Sequence, residues 1–263
     1  MGETDLSSSQ PAKQQEITET CALCAQLLLQ NGAESALIDM LSTRLGKTLG
    51  AQQVEIAIST NFIVLTIIGP NHSNVTTVRK IVDSGINMQA ISDIHHIVQA
   101  AEKGELDASE ALNALHNVYP VRYPKWLVSA MAGLACASIC RMAQGSLSAC
   151  VATFFIASIA MFIRQHLAHM LFHPLINVCI TAFIAIVGGG LIMQLLPITT
   201  PTVMLSSSIL LLVPGVPLIC SISDIFKGYV NTGISRWVVA TTLTLATCIG
   251  VVIAVTVLGI REW

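Results

Sequence analysis

From residue 125 onward the chain alternates long apolar runs with short polar interruptions. A bilayer-crossing helix takes about 20 apolar residues, with a range of roughly 17–25. Five runs meet this: about 125–141, 147–163, 175–196, 203–222 and 237–260. The front half has another rhythm. Apolar residues recur at helical spacing through CALCAQLLLQ and SALIDMLSTRLG, predicting a helix or helix pair over 16–48, interrupted at Asn31-Gly32. VEIAIST and FIVLTIIG read as a hairpin around Thr60-Asn61, with a further short strand available at 75–81. Residues 87–117 are helical again, with Asp107 or Ser109 as a cap. The predicted fold is a membrane all-α bundle of five transmembrane helices (121–263) with an N-terminal cytosolic α+β domain (16–120), preceded by a disordered polar tail (1–15).

Charge sharpens the division. Residues 126–260 carry only Arg141, Arg164, Asp224, Lys227 and Arg236. A soluble core of that length has no need of so few charges, whereas a bilayer penalises each one by several kcal/mol. The first 125 residues have a net charge of −5 and the stretch 126–260 one of +3. Neither half is basic enough for nucleic acid, and no aromatic residues interleave with Lys and Arg as a single-strand platform requires. The first residues lack the apolar core of a signal peptide, so the front domain is expected to stay on the side of synthesis. Arg122, Lys125, Arg164, Lys227 and Arg236 flank one side of the spans, and Arg141 and Arg261 the other. That asymmetry predicts a cytoplasmic N-terminus and an external C-terminus, with Arg141 snorkelling outward. The three Trp (126, 237, 263) and three Tyr (119, 123, 229) fall at span ends, as an interfacial aromatic belt does.

Few residues suggest chemistry. Cys21 and Cys24 form a C-x-x-C on an amphipathic helix, without the second cluster or the strand-to-helix turn that metal or redox work needs, so packing is expected. The six cysteines of the apolar half read as small hydrophobes rather than a disulfide framework. His95, His96 and His116 lack ligand spacing. His166, His169 and His173 share a helical face between spans two and three, expected as an interfacial helix rather than a metal or pH-sensing site. No phosphate loop, nucleophile elbow or triad spacing occurs, so neither an enzyme, a cofactor nor a metal is predicted. Ala132, Cys136 and Cys140, with Gly133 and Ala137, give span one a small-residue stripe for close packing. Gly188-Gly189-Gly190 permits close approach or a local break in span three.

The sharpest feature is span four, SSSILLLVPGVPLICSISDIFKGY. Pro214 and Pro217, with Gly215 between, should unwind a helix, because each proline removes a donor and clashes with the turn before it. Unwound backbone at membrane depth is tolerated only inside protein or beside a wet cavity, and such breaks form solute sites in secondary transporters. Pro214, Gly215 and Pro217 are therefore the substrate-site candidates. Arg164, Lys227 and Arg236 would attract an anion at the inner mouth, with Asn177 and Asn231 as neutral polar candidates. Asp224, the single acid of the apolar half, is either a proton-coupling residue or a loop residue paired with Lys227 at i+3.

NGAESALIDMLSTRLG, RYPKWLV and LLLVPGVPLICSISDIFKGYVNTGISRW resemble the threonine/serine exporter family, above all its short, YjjP-type form. The resemblance extends over nearly all of the chain behind the tail. It implies a bacterial inner-membrane location and export of small solutes: threonine and serine for the family, C4-dicarboxylates such as succinate for the short form. Long members hold two five-span modules. The short form holds the first and works with a small YjjB-type membrane subunit, so transport by this chain alone is not expected. The competing reading is a non-transporting sensor or scaffold whose front domain binds a ligand or partner. A membrane-anchored hydrolase would need a catalytic cluster in 16–120, and none is present.

Overall fold

The structure is a computed structural model describing residues 4–69, 74–81, 85–119, 123–170 and 173–259, with backbone alone over 4–13. The chain forms two compact units: Met1–Val121 with Ile219–Arg236, and Arg122–Leu218 with Trp237–Trp263.

In the first unit, α1 (Thr4–Gln30) and α2 (Ser35–Thr48) precede β1 (Gln53–Ile58), β2 (Phe62–Ile68) and β3 (Asn74–Lys80), followed by α3 (Met88–Glu102) and α4 (Ala108–His116). The strands form one antiparallel sheet in the order β1-β2-β3, with Val54 opposite Ile67 and Leu65 opposite Thr77. A strand turns alternate side chains to opposite faces. Accordingly β2 buries Ile63, Leu65 and Ile67 against Leu28 of α1, Leu41 of α2 and Ile94 of α3. Asn31-Gly32 separates α1 from α2, Gly32 standing at φ +83°, where a side chain would be strained. Of the two caps offered for α4, Asp107 is used. Its carboxylate accepts from Glu110 N while Glu110 returns a bond to Asp107 N, a reciprocal capping box. Cys21 and Cys24 are both sealed in the core, and burial pushes the Cys24 thiol up to about 12, so the C-x-x-C serves packing. Residues 4–15 of the segment expected as a tail lie in α1, and buried Gln14 reaches the Ile67 carbonyl. The sheet thus gives part of this polar segment a partner that composition did not reveal.

In the second unit, α5 (Lys125–Met142), α6 (Leu147–His169), α7 (Pro174–Leu195) and α8 (Pro201–Ile209) lead into a 3-10 turn (Leu210–Leu212). Two helices cross the unit boundary: α9 (Gly215–Phe226) begins here and ends in the first unit, and α10 (Val230–Leu258) does the reverse. By length and composition α6, α7 and α10 can each cross a bilayer, and the bent pair Pro201–Leu212 and Gly215–Phe226 is a fourth candidate. The run expected as span one is α5, whose 18 residues include Lys125 near one end and Arg141 near the other. Arg141 turns back to donate to the Gly145 carbonyl at 3.2 Å.

The small residues pack. Cys136 and Cys140 are fully buried, and a Cβ on Gly133 would strike Ser158 Oγ and lie 2.6 Å from the Phe154 carbonyl of α6. The triple glycine does not break α7. Gly190 instead admits Leu258, which a Cβ would meet at 2.6 Å. One expectation is corrected: Arg164, His166 and His169 lie on α6 itself and not on a separate interfacial helix, since nothing in RQHLAH interrupts the helix before it ends at His169. Ile219–Arg236, within the segment expected as the membrane domain, clusters with the front unit.

Candidate functional site

The break predicted in span four is present. The helix ends at Leu212, Val213 is extended (ψ 126°), and α9 restarts at Gly215, so that the two halves bend by 58°. Pro217 then sits in the first turn of α9, where a missing N–H is harmless. Arg164 reaches across from α6 and donates to the Leu211 carbonyl at 3.5 Å, and Asn177 of α7 donates to the Arg164 carbonyl at 3.1 Å. Asn177 is buried and is held by Thr181, whose hydroxyl donates to the Asn177 carbonyl at 2.7 Å. Among the described residues this unit contains no Asp or Glu, so Arg164 has no carboxylate within it. Arg164, Asn177 and the break therefore come together as one polar locus in an apolar unit. A nearby groove of about 490 Å³, lined by Tyr123, Leu127, Val128, Met131, Met161 and Leu211, is almost wholly apolar and offers a carboxylate nothing to bind.

The other predicted residues lie in the first unit. Asp224 is fully buried on α9. Its carboxylate accepts from Ser35 N at 2.9 Å and Ser35 Oγ at 3.0 Å, and pairs with Arg236 at 3.0 Å. The second Arg236 nitrogen donates to the Ala33 carbonyl at 2.8 Å. Asp224 thus caps the N-terminus of α2, where the Glu34 side chain makes no cap bond. Free amides and the positive end of the helix dipole favour a carboxylate there. Glu34 instead accepts from Lys227 at 2.6 Å and from Ser223. Burial raises the Glu34 carboxyl, but the bonds from Lys227 and Ser223 and the charges of Lys227 and Arg236 outweigh it and hold the group below its ordinary range. Tyr229 donates to Asp39 at 2.5 Å, and burial followed by the Asp39 carboxylate pushes the phenol up to about 12. Thr232 donates to the Ile58 carbonyl at 2.8 Å.

These contacts divide the expected cation funnel. Lys227 and Arg236 are occupied by Glu34 and Asp224, which leaves Arg164 as the cation without a described carboxylate. Asn231 is exposed, and its carbonyl accepts from Ser235. Asp224 does not pair with Lys227 as the loop reading expected; its partners come from α2 and α10. Tyr229, expected in the aromatic belt, binds Asp39 instead, whereas Tyr119, Tyr123, Trp126 and Trp237 are exposed and Trp263 lies outside the described residues. Sequence reasoning missed Glu34, Ser35 and Asp39. The available signal was the amphipathic helix SALIDMLSTRLG opening after Gly-Ala-Glu, with no local cap for its first amides. Among the described residues no group of three or more His, Cys, Asp or Glu is gathered to hold a metal ion.

Residues 19–258 match the family described as "Putative threonine/serine exporter". A Klebsiella aerogenes protein named "Probable succinate transporter subunit YjjP" is 49% identical over 253 residues, covering 96% of this chain and 98% of that protein. The Escherichia coli K12 protein of the same name is 48% identical over 255 residues, covering 97% and 99%. An uncharacterized Haemophilus influenzae protein is 40% identical over 142 residues, 54% of this chain and 48% of its own length. No solved structure matches. The shared family is one of membrane transport and not of enzymes, and this chain belongs to the threonine/serine exporter family.

Proposed function

We propose that the chain is one subunit of an inner-membrane exporter of small carboxylate metabolites, acting by alternating access with a second, YjjB-type five-span subunit. C4-dicarboxylates such as succinate are the first candidates, in keeping with the names of the two full-length relatives, and threonine and serine are the second. The observation that carries this reading is the broken fourth span beside Arg164, a guanidinium without a described carboxylate in its own unit. A solute carboxylate would supply the missing counter-charge, bound in the bidentate manner that arginine favours. Pro214, Gly215 and Pro217 would shape the site, and Asn177 would orient Arg164.

In this reading α5 is the first of five spans, short and anchored by Lys125 and Arg141 at its two ends. The first unit faces the cytoplasm, following the flanking charges. An odd span count puts the two ends on opposite sides, so a second five-span module would be inverted, and inverted repeats are a common transporter plan with the site at the repeat interface.

The test is export of labelled succinate, threonine and serine from cells making this chain, a YjjB-type subunit, or both. Export only with both, succinate fastest, is expected. No export of any of the three by the pair would overturn the reading, and a ligand response of the front unit without solute movement would favour a sensor.

A further inference from the structure

The contacts of Asp224 suggest a mechanical role. It is completely buried, yet its carboxylate is satisfied by Ser35 N, Ser35 Oγ and Arg236 at 2.9–3.0 Å. Arg236, 9% exposed, spends its other nitrogen on Ala33. Around this core lie Glu34 with Lys227 and Ser223, Tyr229 with Asp39, and Thr232 with Ile58. Within the hairpin, a Cβ on Gly233 of α10 would stand 2.8 Å from the Ser221 carbonyl of α9, so the two helices meet at backbone distance. Apart from Ile58 of β1, the residues that bond lie in 33–39 and 223–236, each inside a segment on which the family resemblance rests.

We propose that Ser35, Asp224 and Arg236 are positioning residues for transport: they bind the α9–α10 hairpin to the start of α2 so that hairpin and front unit travel as one body, and Asp224 is a strut rather than a proton carrier. One observation and two physical arguments support this. The contacts join segments 189 residues apart in sequence, so they are tertiary and not incidental to a turn. They involve charged groups that are costly to separate once buried. A carrier must also give up its charge in each cycle, and a neutral Asp224 would leave the buried Arg236 guanidinium without its counter-ion. The charged or titratable groups around Asp224 are Arg236, Glu34, Lys227, Asp39, Tyr229 and Cys220; Glu34 pairs with Lys227, and Asp39 with Tyr229. The consequence is that the part of α9 within the front unit, from Ile219 onward, moves with α2.

The transport arm rests on the exporter reading; the distance arm does not. With the full chain and its partner subunit in phospholipid vesicles, net proton-driven succinate flux and succinate–succinate exchange are compared for wild type and Asp224→Asn. A strut lowers both by the same factor, ten-fold or more, and leaves the pH profile of the residual flux unchanged. Loss of net flux with exchange intact would overturn the proposal in favour of a carrier. Independently, spin labels at Met40→Cys and Asn231→Cys, both exposed and both in the first unit, are placed in full-length chain whose accessible native cysteines are replaced. One narrow distance, unmoved by succinate or by pH between about 5 and 8, the window in which folded proteins tend to be most stable, is expected. A second distance population appearing with solute would mean that the contacts open and would overturn the proposal. If the wild-type pair moves no solute, the exporter reading fails and the distance measurement alone decides whether the two elements form one body.

Discussion

At the scale of single residues, the same side-chain types do different work according to their partners. Arg164 and Arg236 are both arginines of the charge-poor half, yet one lacks a described carboxylate and the other is bound to a fully buried one. Their substitutions should therefore diverge. Arg236→Ala leaves the Asp224 carboxylate buried and without its cation, a loss of about 3–5 kcal/mol by the usual cost of breaking a buried pair. Ser35→Ala removes one hydroxyl bond and should cost about 1 kcal/mol, with Ser35 N still donating. Thermal unfolding in detergent ranks the two. Arg164→Lys keeps a positive charge but loses the bidentate fork, so solute affinity is expected to fall about ten-fold with little change in unfolding temperature, read from the concentration dependence of export. Titration adds a check with a fixed sign. The lowered Glu34 carboxyl stabilises the fold above its unfolded value near 4.5, and that contribution disappears as pH falls through the folded value. The raised Tyr229 phenol acts the other way: its contribution is complete below about 10 and is lost as pH rises toward about 12. Tyr229→Phe should flatten the alkaline limb of a stability–pH curve and leave the acid limb unchanged.

At the scale of elements, the informative one is the divided fourth span. Two prolines and a glycine within an apolar run are enough to end one helix at Leu212 and begin another at Gly215. Changing Pro214 and Pro217 together to Leu should restore helical continuity and abolish export at unchanged protein level; normal export by that variant would remove the break from the mechanism. The close contact of α5 with α6 makes a second prediction. Gly133→Val places its side chain against the Phe154 carbonyl, which backbone cannot easily yield, and should destabilise the membrane unit by about 1–3 kcal/mol, measured by resistance to heating in detergent. Most of these elements are legible in the sequence. Helical periodicity locates α1 to α4, period-two runs locate β1 and β2, and hydropathy locates α5, α6, α7 and α10, because each is a local response to solvent. The span count is harder to read: α5 is short and charged at both ends, and a bent pair stands where one span is expected.

At the scale of the molecule, the chain does not divide where its composition does. Hydropathy puts the boundary near residue 120, but Ile219–Arg236 belongs to the front unit although it is embedded in the apolar half. That placement separates the predicted site residues: Pro214, Gly215, Pro217, Arg164 and Asn177 in one unit, Asp224, Lys227, Asn231 and Arg236 in the other. Mutations in the first set should alter solute selection, and mutations in the second should alter stability and turnover, a division that export assays with succinate, threonine and serine can detect. Sequence alone determined that the carboxy-terminal half is built for lipid, that a helix breaks at Pro214, and that the chain resembles an exporter family, since hydrophobicity, proline geometry and motif identity are properties of short stretches. Only the tertiary structure decided that Asp224 caps a helix 189 residues away and that Lys227 and Arg236 are occupied while Arg164 has no described carboxylate. Which charge neutralises which depends on where the folded backbone brings them, and no local pattern encodes that.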